Sequence, residues 1–283
     1  MSYGRHQSFF LKKHWINKGI KALHNYDEGV LVNKEKYKEL GIGKNMHQAL
    51  RYWMEAVNVA EYNREDRTHH LTRFGELIEK YDPSCFSYFT LAMVQFFLTK
   101  DYEDFNRKSH TFHWFFNKYE DSYITKERFL DELQDYSNNT VSPNTLNRDI
   151  DCLFQTYTKG EKSHPEDKNV SLLADLDLLR KEKNTYRKSS PIINEEIAQA
   201  FYYVINEYKE EIDLTVESVT ENVGCMYNLS RTQVIEIIEL LHELGYPIEI
   251  TRTHNLDTIE VNDSRSQEEI LDDLFGRVFN HEN

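Results

Sequence analysis

Ser230-Arg231-Thr232-Gln233-Val234-Ile235-Glu236-Ile237-Ile238-Glu239-Leu240-Leu241-His242-Glu243-Leu244-Gly245 is a complete helix sentence. A serine with glutamine three positions on is a capping box. Val234, Ile237, Ile238, Leu241 and Leu244 recur at helical spacing, and Gly245 ends the run. Upstream, Thr215 caps a shorter helix over 216–223, and 224–229 is a turn. Downstream, Pro247-Ile248-Glu249-Ile250 and Thr258-Ile259-Glu260-Val261 alternate as two strands about a tip at 253–257. Short helix, turn, longer helix and hairpin is the order of a winged helix-turn-helix.

The same order is legible at the start of the chain. Asn33 caps a short helix over 34–40, and Gly41-Ile42-Gly43 makes a tight turn. Residues 44–57 form an amphipathic helix with Met46, Leu50, Trp53 and Val57 on one face. Residues 59–62 and 68–71 read as a hairpin with its tip at 63–67. Thr72 then caps a helix that ends near Asp82-Pro83. A third, wingless unit has Thr125 capping 126–136 and Pro143 opening a helix over 143–157. Between them, 84–120 is aromatic, with Phe86, Phe89, Met93, Phe96 and Phe97 read as one buried stripe. Residues 159–190 read as a charged loop, 192–208 as a helix, and the tail as a short acidic helix.

The expected fold is therefore mainly α and multi-domain, built on winged helix-turn-helix modules with short β-hairpin wings. The expected domains are a winged unit over 1–82, an aromatic helical unit over 83–160, a charged loop over 161–191 and a winged unit with acidic tail over 192–283. A chain of 283 residues has room for two or three cores, and 39% hydrophobic residues exclude wholesale disorder.

Several chemistries lack their residues. There is no P-loop and no dinucleotide fingerprint, since Gly41-Ile42-Gly43-Lys44 is too short a glycine loop. Cys85, Cys152 and Cys225 are too scattered for a disulfide scaffold or a zinc cluster and read as buried small hydrophobes. His69-His70 and His110-x-x-His113 have no third ligand in reach. Asp149 and Asp151 point to different sides of one helix. No stretch reaches membrane-spanning length, and the expected location is cytoplasmic. A non-catalytic protein with no metal or cofactor follows.

Charge is polarised. Residues 1–80 contain 14 Lys+Arg and 10 Asp+Glu, a net of +4, which leaves −18 of the total −14 on the remainder. Lys44, His47, Gln48 and Arg51 on the outward side of 44–57, with Arg64 and Arg67 at the hairpin tip, are therefore the candidate contacts to double-stranded DNA. Asn144, Asn147 and Arg148 are weaker candidates beside Asp149 and Asp151. Glu236, Glu239 and Glu243 would repel a duplex and are the candidate protein-binding or dimerising face.

Four blocks carry a family resemblance: residues 6–19, Leu40-Gly41-Ile42-Gly43-Lys44-Asn45-Met46 with Arg51-Tyr52-Trp53, Leu71-Thr72-Arg73-Phe74-Gly75, and residues 148–157. They resemble an uncharacterised bacterial domain-of-unknown-function family whose genes neighbour DNA phosphorothioate-modification and phage-defence systems. That resemblance implies a DNA-binding or adaptor component of such a system, with a protein partner from it. The alternatives are a protein–protein scaffold or dimerising subunit without DNA contact, and an enzyme whose site is assembled across domains.

Overall fold

The computed structural model describes residues 3–26, 29–102, 109–159, 170–252 and 257–280. Most of the C-terminal hairpin tip, most of the polar break after Asp101 and residues 160–169 of the expected loop over 159–190 lie outside the described residues. The chain folds as a mainly α, multi-domain protein with small β-hairpins.

Helices α1 (Trp15–Asn25) and α2 (Lys44–Ala56) open the fold, followed by a hairpin of β1 (Ala60–Asn63) and β2 (Thr68–Leu71) and by α3 (Arg73–Tyr81). The expected caps are present: Asn33 accepts from the Glu35 amide and Thr72 from the Gly75 amide. Trp53 is fully buried and its indole N–H donates to the Phe9 carbonyl at 2.8 Å. Gly75 lies against the hairpin, where a Cβ would meet the Val59 carbonyl oxygen at 2.1 Å.

Helix α4 (Tyr88–Thr99) is buried on every side from Phe89 to Thr99, so it is a central pillar and not an amphipathic stripe. Phe86 departs from the expected stripe. It precedes the cap Ser87 and stands 70% exposed. The buried amide of Gln95 is satisfied at both ends: it donates to the Met226 carbonyl at 2.7 Å and accepts from the Tyr157 hydroxyl at 2.6 Å. Around it lie α5 (His110–Asn117), α6 (Lys126–Tyr136), α7 (Pro143–Tyr157) and α8 (Glu195–Tyr208). Phe96 and Phe97 meet Tyr203 of α8 edge-on at 5.9 and 6.2 Å. Each such ring removed from water is worth about 1.5–3 kcal/mol.

The segment expected to be a loop contributes a third small sheet. β3 (Tyr123–Ile124), β4 (Leu179–Glu182) and β5 (Thr185–Lys188) pair antiparallel in the order β3-β5-β4. The last unit is α9 (Val216–Asn222), α10 (Arg231–Glu243), β6 (Ile248–Arg252) and β7 (Asp257–Val261). Ser230 and Gln233 make the expected capping box. Helix α11 (Gln267–Asn280) then returns to the N-terminal unit, where Phe275 packs on Phe74 and Phe89.

Candidate functional site

A concavity with an apolar floor and a basic rim is formed along α1. It has a volume of about 760 Å³. Ala22 and Leu40 form part of its floor, and Phe86 and Val170 stand at the rim with Lys18 and Lys21. The amphipathic pattern of α1 explains this split: Trp15, Ile16, Gly19 and Ile20 turn into the core, which leaves the lysines outside.

Fixed contacts hold the groove's walls. The Asn17 side chain donates to the Pro83 carbonyl at 2.7 Å, which ties α1 to the segment carrying Phe86. The Lys13 amide donates to the Val170 carbonyl at 3.0 Å. Lys13 also donates to Asp175 at 3.1 Å, and its ammonium lies 5.0 Å from the Phe86 ring centre. Among the described residues, Lys18 and Lys21 have no ion pair, and no carboxylate lines the groove. An exposed phenylalanine beside lysines is complementary to an acidic chain with an apolar anchor.

The residues singled out for DNA do not assemble into a basic face. His47 is buried and its Nε2–H donates to the Val30 carbonyl at 2.7 Å, so it reads nothing. Lys44 is paired with Glu35 at 3.2 Å. Arg51 sits 3.9 Å from Glu55, a carboxylate that also accepts from Arg5 and His69. Burial pushes the Glu55 carboxyl up, but the hydrogen bond from His69 and the charge of Arg5 outweigh it and hold the group below its ordinary value. Gln48 is half-buried. Arg64 and Arg67 are exposed at the hairpin tip, where they share the turn with Glu61, Glu65 and Asp66. Lys12, another cation of the N-terminal unit, is buried beside the Phe9 and Trp15 rings.

In the second unit, Asn147 turns back to its own helix at Pro143, and Asn144 and Arg148 are exposed. Asp149 points inward. It accepts from the Gly4 amide and from His6 at 2.8 Å each, and from the Thr111 hydroxyl at 3.0 Å. The Ser8 amide donates to His6 Nδ1, so the ring proton sits on Nε2 and is given to Asp149. This buried cluster clamps the N-terminal segment. Asp151, on another side of the helix, pairs with Lys126. Glu236, Glu239 and Glu243 are exposed on α10, with Glu239 accepting from Arg252 at 2.7 Å.

Burial raises the thiols of Cys85, Cys152 and Cys225, the last to about 11, which keeps all three protonated. Among the described residues no three His, Cys, Asp or Glu side chains gather as a metal-ligand set. No helix among them is long and apolar enough to cross a membrane.

Sequence reasoning missed Phe86, Lys21 and Val170 as neighbours. The one available signal was Ser87, whose capping potential places Phe86 outside the helix.

No curated protein matches the chain. Two solved structures share its fold nearly end to end. One is titled "SspB crystal structure", with 14% identity, a TM-score of 0.84, and coverage of 99% of this chain and 88% of that one. The other is titled "Magnesium ion-bound SspB crystal structure", with 14% identity, a TM-score of 0.83 and the same coverage. At 14% identity this likeness is one of fold, and it extends over nearly the whole chain. Together with the burial of His47 and the pairing of Lys44 and Arg51, it overturns the reading of the chain as a DNA-binding component of a DNA-modification or phage-defence system. What remains of the sequence resemblance is the family itself: residues 3–275 match the family described as "Protein of unknown function (DUF4007)", and the chain belongs to it.

Proposed function

We propose that the chain is a non-catalytic protein–protein scaffold, and that its groove along α1 holds an acidic segment of a partner protein bearing an aromatic or aliphatic anchor. The observation that carries this reading is Phe86, 70% exposed beside Lys18 and Lys21 in a groove with no lining carboxylate among the described residues. Apolar side chains at that exposure are ordinary when scattered, but one set on a concave apolar floor within a cationic rim is built to be covered. The exposed row Glu236, Glu239 and Glu243 on α10 offers a second face, of opposite charge, for a basic partner or a second copy. In this reading the helix, turn, helix and hairpin units are winged modules used for docking, and the four domains set out above position the two faces.

A fluorescent peptide with one phenylalanine flanked by aspartates tests the groove by anisotropy. The chain is expected to bind it, with affinity falling about tenfold for Phe86→Asp and for the Lys18→Glu, Lys21→Glu pair, one strong contact being worth about 1.4 kcal/mol. Binding that Phe86→Asp leaves unchanged rejects the groove. Saturable duplex binding that displaces the peptide rejects the scaffold reading.

A further inference from the structure

A second cavity, of about 950 Å³, opens where the three-stranded sheet meets the turn between α9 and α10. Its lining is cationic in a part of the chain that is otherwise strongly acidic. Lys118, Arg180, Arg187 and Lys188 line it, against Glu120 and Glu221. Two of these cations are placed in a way that folding alone does not favour. Arg180 of β4 and Arg187 of β5 are directly opposed partners in the antiparallel ladder. Like charges across a strand pair repel. Each is partly neutralised, Arg180 by Asp177 and Arg187 by a single 2.8 Å bond from its Nε to Glu182. Among the described residues, the two outer nitrogens of the Arg187 fork have no acceptor.

Lys188, the next residue on β5, is the second anomaly. Its ammonium donates to the carbonyls of Phe115 and Tyr119 at the end of α5 and lies 4.7 Å from the Phe115 ring centre. Among the described residues it has no ion pair, although it is half-buried in a lining that an anion can reach. Lys118 is exposed at the same cavity and likewise has no ion pair among the described residues. Burial lowers the Lys188 pKa to about 8, outweighing the nearby Cys225 and the charge of Asp121. The Cys225 thiol in the same lining stays protonated, so the cavity offers binding and no nucleophile.

Two opposed arginines, each with one carboxylate partner, and two lysines with no ion pair among the described residues converge on a space large enough for a small organic ligand. We propose that this cavity binds a small phosphorylated molecule, its phosphates taken by Lys118, Arg187 and Lys188. Planar guanidinium forks match phosphate oxygens in pairs, and a multiply charged anion offsets several cations at once. The site is separate from the groove along α1 and does not depend on that groove's role.

Calorimetric titration of the full chain with pyrophosphate, and separately with ATP, tests the proposal. Saturable binding of at least one is expected, weakened about tenfold by Lys118→Glu and about tenfold by Arg187→Ala, each removing one charge-assisted contact. Lys18→Glu and Lys21→Glu, at the groove, are expected to leave it unchanged. Equal affinity for the two probes assigns recognition to the phosphates alone, and tighter ATP binding adds the nucleoside. Lys118 is exposed, so its variant keeps the fold, and an unchanged melting temperature without ligand verifies this. No saturable heat with either probe overturns the site. So does a loss of affinity as large for Lys18→Glu as for Lys118→Glu, which would mark general charge attraction.

Discussion

Arg73 of α3 and Asp272 of α11 are joined by two parallel bonds, Nε to Oδ1 at 2.7 Å and Nη2 to Oδ2 at 2.8 Å, across 199 residues of chain. The pair locks the orientation of the returning helix, while the energy of that return comes from beneath it. Arg73 and Asp272 are each about two-fifths exposed, so breaking the pair with Asp272→Asn is expected to cost no more than about 1 kcal/mol. Phe275 is fully buried among Phe74, Tyr81 and Phe89, and Phe275→Ala is expected to cost about 3–5 kcal/mol. Urea denaturation of both variants checks the contrast, and a larger loss for Asp272→Asn would contradict it.

Gly75 is a packing constraint. Its missing side chain lets α3 lie on the carbonyl of Val59. Gly75→Ala has no flexible neighbour to displace and is expected to destabilise the chain by about 1–3 kcal/mol, against the gain that alanine brings to a free helix. A thermal melt that rises for this variant would refute the close approach.

Asp263 is nearly buried and accepts from the Arg265 guanidinium and the Tyr202 hydroxyl. The hydrogen bonds from Arg265 come first in holding its carboxyl well below the ordinary range, with Tyr202 assisting. A depressed pKa stabilises the fold above the unfolded value of about 3.9 and loses that contribution as pH falls below it. Asp263→Asn is expected to cost about 1.5–3 kcal/mol at neutral pH, a penalty that narrows in acid. Denaturation at neutral pH and near pH 3 measures it, and a pH-independent penalty would contradict the linkage.

Lys188 gives a slope of the same sign for a different reason, since burial penalises its charged form. Its pKa is lowered to about 8 in the fold, so between about 8 and the unfolded value near 10.4 the unfolded chain holds the extra proton. Stability from this group therefore rises with pH across that window. The titration is best kept below about 9.5, where tyrosines begin to ionise in the unfolded chain. Lys188→Met is expected to flatten the rise, and an unchanged profile would show that the ammonium is better compensated than its carbonyl and ring contacts provide.

The long helices were legible because several signals agreed. Periodicity, caps and stops coincide at Lys44–Ala56, Pro143–Tyr157 and Arg231–Glu243. The third sheet was not, because Leu179–Glu182 and Thr185–Lys188 carry almost no apolar alternation and are held by pairing with each other and with Tyr123–Ile124. The candidate surface was legible least. Lys44 and Arg51 look outward on a helix wheel, but a wheel shows neither Glu35, which arrives from the preceding turn, nor the shared carboxylate of Glu55. His47 shows the same limit: a polar residue on the outer face of one helix lies inside once the Val30 carbonyl covers it. Lys18 and Lys21 were read as part of a general positive charge. Their significance depends on Phe86, more than 60 positions away in sequence.

The burial of α4 on every side has a consequence for synthesis on the ribosome. The helix emerges early, yet Tyr203 of α8, which covers Phe96 and Phe97, follows more than 100 residues later. At roughly 5–20 residues per second, the nascent chain spends several seconds with that aromatic face uncovered. Such an interval is an opening for chaperones, and a chain that stalls before α8 presents them with a sticky surface that the finished protein never shows.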